Sequence, residues 1–207
     1  MRHFILFFIS FILLSCDVKV NSNQQKVMNE NNSTQQNIPF PMTPNYSREF
    51  LMENFWKCNY RYNSAPEYWV ILPKNVKPVK IEPIQVTGNL INIGQYQTID
   101  KSNYLEVWVF YEVVSGTVQP ADWLSEKLKI SNESIIHQNI INTSNGEKYS
   151  DVLTSKVIID GEKIISRFTV LKKGSNYFCI KASCNEKDYS VLADKMRHIT
   201  ANWNIND

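Results

Sequence analysis

The sequence has little net charge and few glycines, and each shortage excludes a class of protein. Lys and Arg total 22 against 20 Asp and Glu among 207 residues, so the formal net charge is +2. This balance gives no strong electrostatic field toward a nucleic acid, and we expect no nucleic-acid partner. Only 6 glycines are present, and 43% of the residues are hydrophobic. The composition therefore predicts a globular chain with one core rather than a collagenous or disordered one.

Motifs that carry bond chemistry are also lacking. The sequence has three histidines, and none lies in an HExxH motif or near a serine nucleophile elbow. His3 belongs to the start of the chain, and we predict His137 on a strand and His198 on an exposed helix face. Glu106 and Glu112 would lie about 20 Å apart along one strand, too far for a catalytic pair. The sequence thus predicts a protein that is not an enzyme and holds no metal or other cofactor.

The N-terminal apolar run is too short for a comfortable permanent transmembrane helix, which needs about 20 apolar residues. It follows Arg2 and His3, spans residues 4–14 and is typical of a secretory signal. The sequence Leu13-Leu14-Ser15-Cys16 that ends it resembles the lipobox of bacterial lipoproteins. The resemblance implies cleavage of residues 1–15 and acylation of Cys16, so that lipid would hold the protein to a membrane. The alternative is an ordinary secretory signal or short anchor with an accidental cysteine.

The residues after Cys16 predict a tether and a location. In enterobacteria-like lipoproteins an Asp after the lipidated Cys is a retention signal, so Asp17 favours the inner over the outer membrane, with the domain facing the periplasm. Among residues 21–37, thirteen of seventeen are Asn, Gln, Ser or Thr. Such a segment buries too little apolar surface to offset the entropy of ordering it. We therefore expect a tether at 16–38, about 25 Å in mean span, and one globular domain at 39–207.

Hydrophobic spacing predicts the elements of the first half of the domain. The pattern from Tyr46 to Trp56 suits one short helix, and 67–73 and 79–86 are strand-like runs bounded by proline. A further strand at 105–113 carries aromatics on its second face, so we expect both of its faces to be covered. Pro120 suits the first turn of a helix over 120–129.

Turn dipeptides predict the second half. Asn-Gly, Asp-Gly and Lys-Gly-Ser, centred on Gly146, Gly161 and Gly174, separate four strand-like runs. Asn-Gly and Asp-Gly favour type I′ hairpin turns, so a four-stranded antiparallel meander is expected. A final helix with an apolar stripe from Tyr189 to Trp203 follows, with Asn185 as its cap. The four predicted strands are 134–143, 148–159, 163–172 and 176–183.

The resulting order is an α+β arrangement of an antiparallel sheet with flanking helices, and it resembles the PsbP/DcrB-like α/β/α sandwich family. The resemblance rests on the proline-ended strand Tyr68–Pro73, the helix bearing Trp123 and the strand beginning Asn176-Tyr177-Phe178. Lys74-Asn75 depart from the family, in which glycine often follows that proline. Members are mostly accessory or binding proteins, and several bacterial ones are lipoproteins.

The resemblance and the leader together predict a noncatalytic, protein-binding envelope lipoprotein, as an accessory part of a membrane or secretion complex. Such a protein needs an envelope protein partner and an apolar or aromatic patch outside its core. The alternative is a lipoprotein that binds a small ligand or a toxin, as immunity proteins do. That alternative predicts a concave pocket or a face of one charge sign.

Three cysteines remain once Cys16 is assigned to lipid. Cys179 and Cys184 would lie about 17 Å apart on opposite faces if one strand spans 177–184, beyond the roughly 7 Å limit for a disulfide. They could pair only if the strand ended near Lys181. The open alternatives are therefore a disulfide of Cys58 with either of them, or three free thiols.

Overall fold

The computed structural model describes residues 38–42, 46–60, 65–79, 84–99, 103–142, 148–158 and 160–205. The predicted signal sequence, Cys16, Asp17, the predicted tether up to residue 37 and the predicted turn at Asn145-Gly146 lie outside the described residues. In the described ranges no helix combines the length and apolar character needed to cross a bilayer.

The described chain forms three helices and eleven strands. The helices are α1 (Arg48–Asn54), α2 (Pro120–Ser131) and α3 (Glu186–Ala201). The strands are β1 (Phe55–Tyr60), β2 (Tyr68–Pro73), β3 (Val76–Pro78), β4 (Ile84–Thr87), β5 (Leu90–Thr98), β6 (Leu105–Val113), β7 (Ser134–Asn142), β8 (Lys148–Val157), β9 (Lys163–Lys173), β10 (Asn176–Asn185) and β11 (Trp203–Ile205).

Two antiparallel sheets organise these elements. The large sheet has the order β3-β5-β6-β10-β9-β8-β7, and β4 also pairs with β5. The small sheet has the order β1-β2-β11. Helix α3 packs on β9, β10 and β2, so α3 and the small sheet cover one face of the large sheet, which we call the α3 face. Helix α2 packs on β7, β8 and β9 of the opposite α2 face, and the predicted α+β class is confirmed.

Strict alternation along the strands separates two clusters of buried side chains. In β10, Phe178 and Ile180 belong to the cluster under α3, whereas Tyr177 and Cys179 belong to the cluster under α2. Because successive side chains of a strand point to opposite faces, one apolar strand contributes to both clusters. The large sheet is therefore the central layer of the domain.

The predicted meander is confirmed as β7 to β10, which are hydrogen-bonded in sequence order. Gly174 has a φ of 60° and is the first central residue of a two-residue loop, where a type II′ turn places glycine. Gly161 has a φ of 75° and donates to the carbonyl of Ile158, while the N–H of Ile158 donates to Glu162. This is the pattern of a three-residue loop with a bulge at Gly161, so the two-residue type I′ prediction is wrong there.

The predicted helix from Tyr46 to Trp56 is confirmed over Arg48–Asn54 and is wrong at its last two residues. Helix α1 ends at Asn54, whose side-chain Nδ2 donates to the carbonyl of Phe50 at 2.9 Å. Phe55 begins β1, which pairs along its whole length with β2. The pairing with β2 is a nonlocal interaction that overrides the helical spacing of the local sequence.

Three further boundaries differ from the prediction. The run 79–86 is not one strand, because β3 ends at Pro78 and β4 begins at Ile84. Strand β5 was not predicted, since its polar residues and Gly94 weaken the strand pattern. Helix α3 ends at Ala201, and Trp203 lies in β11, where it pairs with Val70. Asn185 is the N-cap residue of α3, but its side chain makes no capping hydrogen bond.

Candidate interaction face beside helix α2

Strand β6 carries a half-buried aromatic pair on the α2 face. Val107 and Val109 point to the α3 face and are fully buried, whereas Trp108 and Phe110 on the other side are only half-buried. Helix α2 packs over β7, β8 and β9, so in the described part of the chain it covers β5 and β6 only in part. The expectation that both faces of this strand are covered is therefore only partly correct.

The aromatic pair continues into exposed aliphatic side chains. The rings of Trp108 and Phe110 are stacked at 6.2 Å between centroids with an interplanar angle of 5°. Val86 on β4 and Ile130 on α2 line one groove together with Phe110 and are 47% and 66% exposed. We call Trp108, Phe110, Val86 and Ile130 the aromatic face.

A groove of about 120 Å³ runs between α2 and the sheet within this face. Its walls are mainly apolar, with two lysines and one glutamate among the lining residues. Binding pockets for drug-sized molecules span about 300–1,000 Å³, so this groove suits one or two side chains of a partner rather than a whole ligand. The lining residues are Val86, Thr87, Leu90, Phe110, Trp123, Leu124, Lys127, Leu128, Ile130, Ser131, Glu133, Phe168, Cys179 and Lys181.

Local sequence fixes the position of α2. Pro120 occupies the first turn, as predicted, and Asn132 ends the helix with a φ of 56° and a backbone N–H that donates to Leu128 and Lys129. Trp123 and Leu128 are buried, and the indole of Trp123 stacks on Tyr177 at 5.5 Å. The helix is thus held by apolar packing, with Ile130 left on its exposed side.

Two carboxylates tie α2 and the segment after it to the sheet. Glu112 accepts the indole N–H of Trp123 at 2.5 Å and pairs with the Lys127 ammonium at 2.8 Å. Glu133 pairs with Lys181 at 2.7 Å and accepts the hydroxyl of Thr154 at 2.6 Å. These ion pairs neutralise the charges at the groove, so apolar contact dominates what it offers a partner.

A third carboxylate fixes the aromatic pair. Glu106 accepts the hydroxyl of Tyr104 at 2.5 Å and the indole N–H of Trp108 at 3.4 Å. Glu106 and Glu112 lie six residues apart on one strand, as the sequence predicts, and each has its own partners. The indole of Trp108 is therefore held in one orientation on the open face.

The histidines lie away from this face. His137 is on β7, as predicted, and stacks on Phe40 at 5.3 Å between ring centroids. The prediction that His198 is exposed is wrong, because it is buried in contact with the ring of Phe55 at 4.6 Å. Burial lowers the pKa of His198, and its Nδ1 accepts a hydrogen bond from Asn202 at 3.2 Å. The small sheet, formed by residues distant in sequence, buries this histidine.

The three cysteines of the domain are buried free thiols. Strand β10 runs unbroken from Asn176 to Asn185, so Cys179 and Cys184 lie on opposite faces, as the continuous-strand prediction requires. The Sγ of Cys58 lies 3.8 Å from the hydroxyl of Tyr96, and the Sγ of Cys184 lies 3.5 Å from the Sδ of Met196. Burial raises the pKa of all three thiols, that of Cys184 to about 12. Neither predicted pairing of Cys58 is present, and the arrangement matches the three-thiol alternative.

No three His, Cys, Asp or Glu side chains of the described ranges are grouped so that they could hold a metal ion.

A buried charged cluster holds the segment 38–42 against the α3 face, and sequence reasoning missed it. Arg167 and Asp151 are fully buried and form two hydrogen bonds, Nε to Oδ1 at 2.9 Å and Nη2 to Oδ2 at 2.7 Å. Arg197 approaches the same carboxylate at 3.5 Å, and burial lowers its pKa. The signal that could have identified this cluster is one arginine within the apolar strand β9.

The backbone of residues 38–42, which we call the strap, is bound through its carbonyl groups. Four side chains reach four of its five carbonyls, and the ring of Phe40 lies 4.2 Å from the Arg167 guanidinium. The contacts are His137 Nε2 with Ile38 O at 3.2 Å, Tyr189 Oη to Pro39 O at 2.6 Å, Arg167 Nη1 to Pro41 O at 2.8 Å and Arg197 Nε to Met42 O at 2.6 Å.

No protein-family profile and no curated protein sequence matches the chain. Solved structures with a similar backbone include cyanobacterial PsbP (CyanoP) from Synechocystis sp. PCC 6803, with a TM-score of 0.54 and 8% identity over 72% of this chain and 92% of that one. LpqN, involved in cell envelope biogenesis of Mycobacterium tuberculosis, is a further match, with a TM-score of 0.49 and 14% identity over 79% of this chain and 99% of that one. The likeness to CyanoP shows that the domain has the PsbP-like α+β fold.

Proposed function

We propose that this protein is a noncatalytic lipoprotein of the bacterial cell envelope that binds an envelope protein through its aromatic face. The acyl groups on Cys16 hold it to the membrane, and the domain acts as an accessory component of a membrane or secretion complex. The observation that carries the proposal is the half-buried aromatic pair Trp108 and Phe110, in which Phe110 lines one groove with the exposed Val86 and Ile130. Contiguous apolar patches of this kind mark interaction sites.

The composition of the face supports a protein partner. Aromatic side chains are enriched in the centres of protein–protein interfaces, and polar groups with satisfied hydrogen bonds are typical of their rims. Here Trp108 and Phe110 are the central rings, and the Glu133–Lys181 pair lies at the side of the groove. The alternative of a small ligand is less well supported, because the groove of about 120 Å³ is small for one.

The arrangement of the ionisable groups supports a noncatalytic role. Glu106, Glu112 and Glu133 near the face each hold hydrogen bonds that fix structure. His137 and His198 lie on the α3 side of the sheet, far from the groove in the fold. A general acid or base needs to be within hydrogen-bond reach of a reacting group, and these histidines serve packing instead.

Because the lipid anchor confines the protein to a membrane, a weak contact with a membrane-bound partner is sufficient for binding. Each buried methylene of an acyl chain contributes about 0.8 kcal/mol, so two or three chains hold the protein to one leaflet. Confinement near the bilayer raises the effective concentration of a membrane-bound partner, so a weak contact is populated. A groove that accepts only one or two side chains is compatible with such a contact.

The test compares two exposed aliphatic residues on different helices. Tagged full-length protein is purified from detergent-solubilised membranes as wild type, Ile130→Asp and Val191→Asp. Val191 lies on α3 and is 62% exposed, which matches the 66% exposure of Ile130. We expect a specific partner to co-purify with wild type and Val191→Asp and to be lost with Ile130→Asp. Equal recovery of the partner with both variants would refute the role of the aromatic face.

A further inference from the structure

The large sheet ends at β7, and this edge has little protection against pairing with another strand. Its nine residues contain no proline and no charged residue, and a bulge between Ile135 and His137 is its one irregularity. On one side β7 pairs with β8, and no backbone hydrogen bond to its other side is present among the described residues. Natural sheet edges usually carry lysine, proline or a covering element that prevents edge-to-edge association.

The opposite end of the same sheet is protected. There β3, which pairs with the end of β5, contains Lys77 and Pro78 within its three residues, and β4, which pairs with the start of β5, is only four residues long. Proline lacks a backbone N–H, and lysine on an edge opposes the approach of another strand. The two ends of one sheet thus differ, and among the described strands at these ends only β7 is both long and free of charged residues.

The sequence of β7 is suited to pairing with itself. Residues 135–141 read Ile-Ile-His-Gln-Asn-Ile-Ile, so the apolar and polar positions have the same order in both directions around Gln138. Two such strands in antiparallel orientation about a two-fold axis bring their polar centres together, with isoleucines on both flanks. Ile135 and Ile140 are 45% and 55% exposed, and their burial would favour association. A strand without charge also avoids like-charge repulsion against its own copy.

We infer that β7 pairs antiparallel with β7 of a second copy of this chain and joins the two large sheets into one. A two-fold axis perpendicular to a sheet leaves corresponding faces on the same side. The straps of both copies, which lie on the α3 faces, would then lie on one side of the dimer, and the two aromatic faces on the other. This placement suits two copies anchored in one leaflet. The anchoring rests on the proposed function, whereas the pairing of β7 is independent of it.

Cysteine cross-linking tests the pairing. Full-length protein in detergent carries Ile135→Cys, Gln138→Cys or Ile140→Cys singly and is oxidised, with wild type and Lys77→Cys as controls. The native cysteines of the domain are buried, so we expect little cross-linking through them. Because the two-fold axis sets Gln138 opposite its own copy, we expect a covalent dimer for Gln138→Cys. Ile135 and Ile140 would lie about 20 Å and about 13 Å from their own copies, beyond the roughly 7 Å limit for a disulfide, so these two variants and Lys77→Cys should remain monomeric. A monomeric Gln138→Cys, or an equal amount of dimer for Ile135→Cys, Ile140→Cys or Lys77→Cys, would overturn the inference.

A mass measurement tests the same contact without oxidation. Ile140→Lys places a charge on the edge, and we expect it to weaken dimerisation at least tenfold in analytical ultracentrifugation of the full chain. Val191→Lys, at a similarly exposed site on α3, should leave dimerisation unchanged. A monomeric wild type at about 100 μM, or equal effects of the two variants, would overturn the proposal. So would a cross-link of the β7 cysteines to a different protein in cells.

Discussion

At the residue scale, Gly94 shows how closely β2 of the small sheet approaches β5, a strand that the sequence pattern does not predict. A Cβ atom added at Gly94 would lie 2.0 Å from the hydroxyl oxygen of Tyr68. That hydroxyl is hydrogen-bonded to the hydroxyl of Tyr96 at 2.8 Å in the core. Glycine is needed here because the small sheet packs its tyrosine against the bulge in β5.

We predict that Gly94→Ala lowers the free energy of unfolding by about 1–3 kcal/mol, as overpacking typically does. Tyr68→Phe removes the clashing atom, and the next one, Cζ, lies 3.2 Å from the added Cβ. The double variant should therefore lose less stability than the sum of the single variants, which urea denaturation measures as a double-mutant cycle. Additive losses would contradict this packing.

His198 predicts a dependence of stability on pH. Burial lowers its pKa in the folded state below the unfolded value of about 6.5, so the unfolded chain binds the proton more readily. Its contribution to stability is present above pH 6.5 and is lost as the pH falls through the folded pKa. Protonation would also place a proton on the Nδ1 that accepts from Asn202. Chemical denaturation at pH 7.5 and pH 5 should show a smaller acid loss for His198→Gln, and an equal loss would contradict this assignment.

At the element scale, the strap extends the folded domain to Ile38. A truncated chain that begins at residue 38 keeps all four carbonyl contacts, whereas one that begins at residue 43 loses them. At about 1 kcal/mol for each hydrogen bond, the loss is about 4 kcal/mol, which corresponds to a fall of about 10 °C in Tm. Calorimetry of the two chains measures this fall. A shorter chain with an unchanged Tm would show that the strap contributes nothing.

Elements bounded by strong local signals could be predicted, and those defined by distant partners could not. The glycines of the predicted turns place β8, β9 and β10 within a few residues, and Pro120 identifies the start of α2. Strand β1 and strand β11 depend on pairing with β2, and nothing in their local sequence shows it. The pairing register of β8 and β9 places Asp151 diagonally across from Arg167. Their ion pair could therefore be predicted only from a known register of this hairpin.

The aromatic face could likewise be predicted only where local sequence determines it. The sequence shows aromatic residues on the second face of β6, namely Trp108 and Phe110. How far α2 covers them depends on where a helix crosses the sheet, which no local pattern determines. The burial of His198 and of the Asp151 carboxylate likewise comes from tertiary packing.

At the scale of the whole molecule, the proposed function depends on an anchor at Cys16. We predict that Cys16→Ser abolishes incorporation of labelled palmitate and blocks cleavage of the precursor at this site, because lipid attached to the thiol is what the processing step recognises. Metabolic labelling followed by gel electrophoresis measures both effects. Continued incorporation of label in the variant would contradict the lipoprotein assignment.

Photo-cross-linking in living cells tests most directly the central claim that the domain works through its aromatic face. A photoreactive phenylalanine analogue replaces Trp108 or Ile130 in the full-length chain, with Val191 on α3 as the control position. The account predicts a discrete adduct with one envelope protein from positions 108 and 130 and none from position 191. No adduct from either face position, or the same adducts from all three, would contradict it.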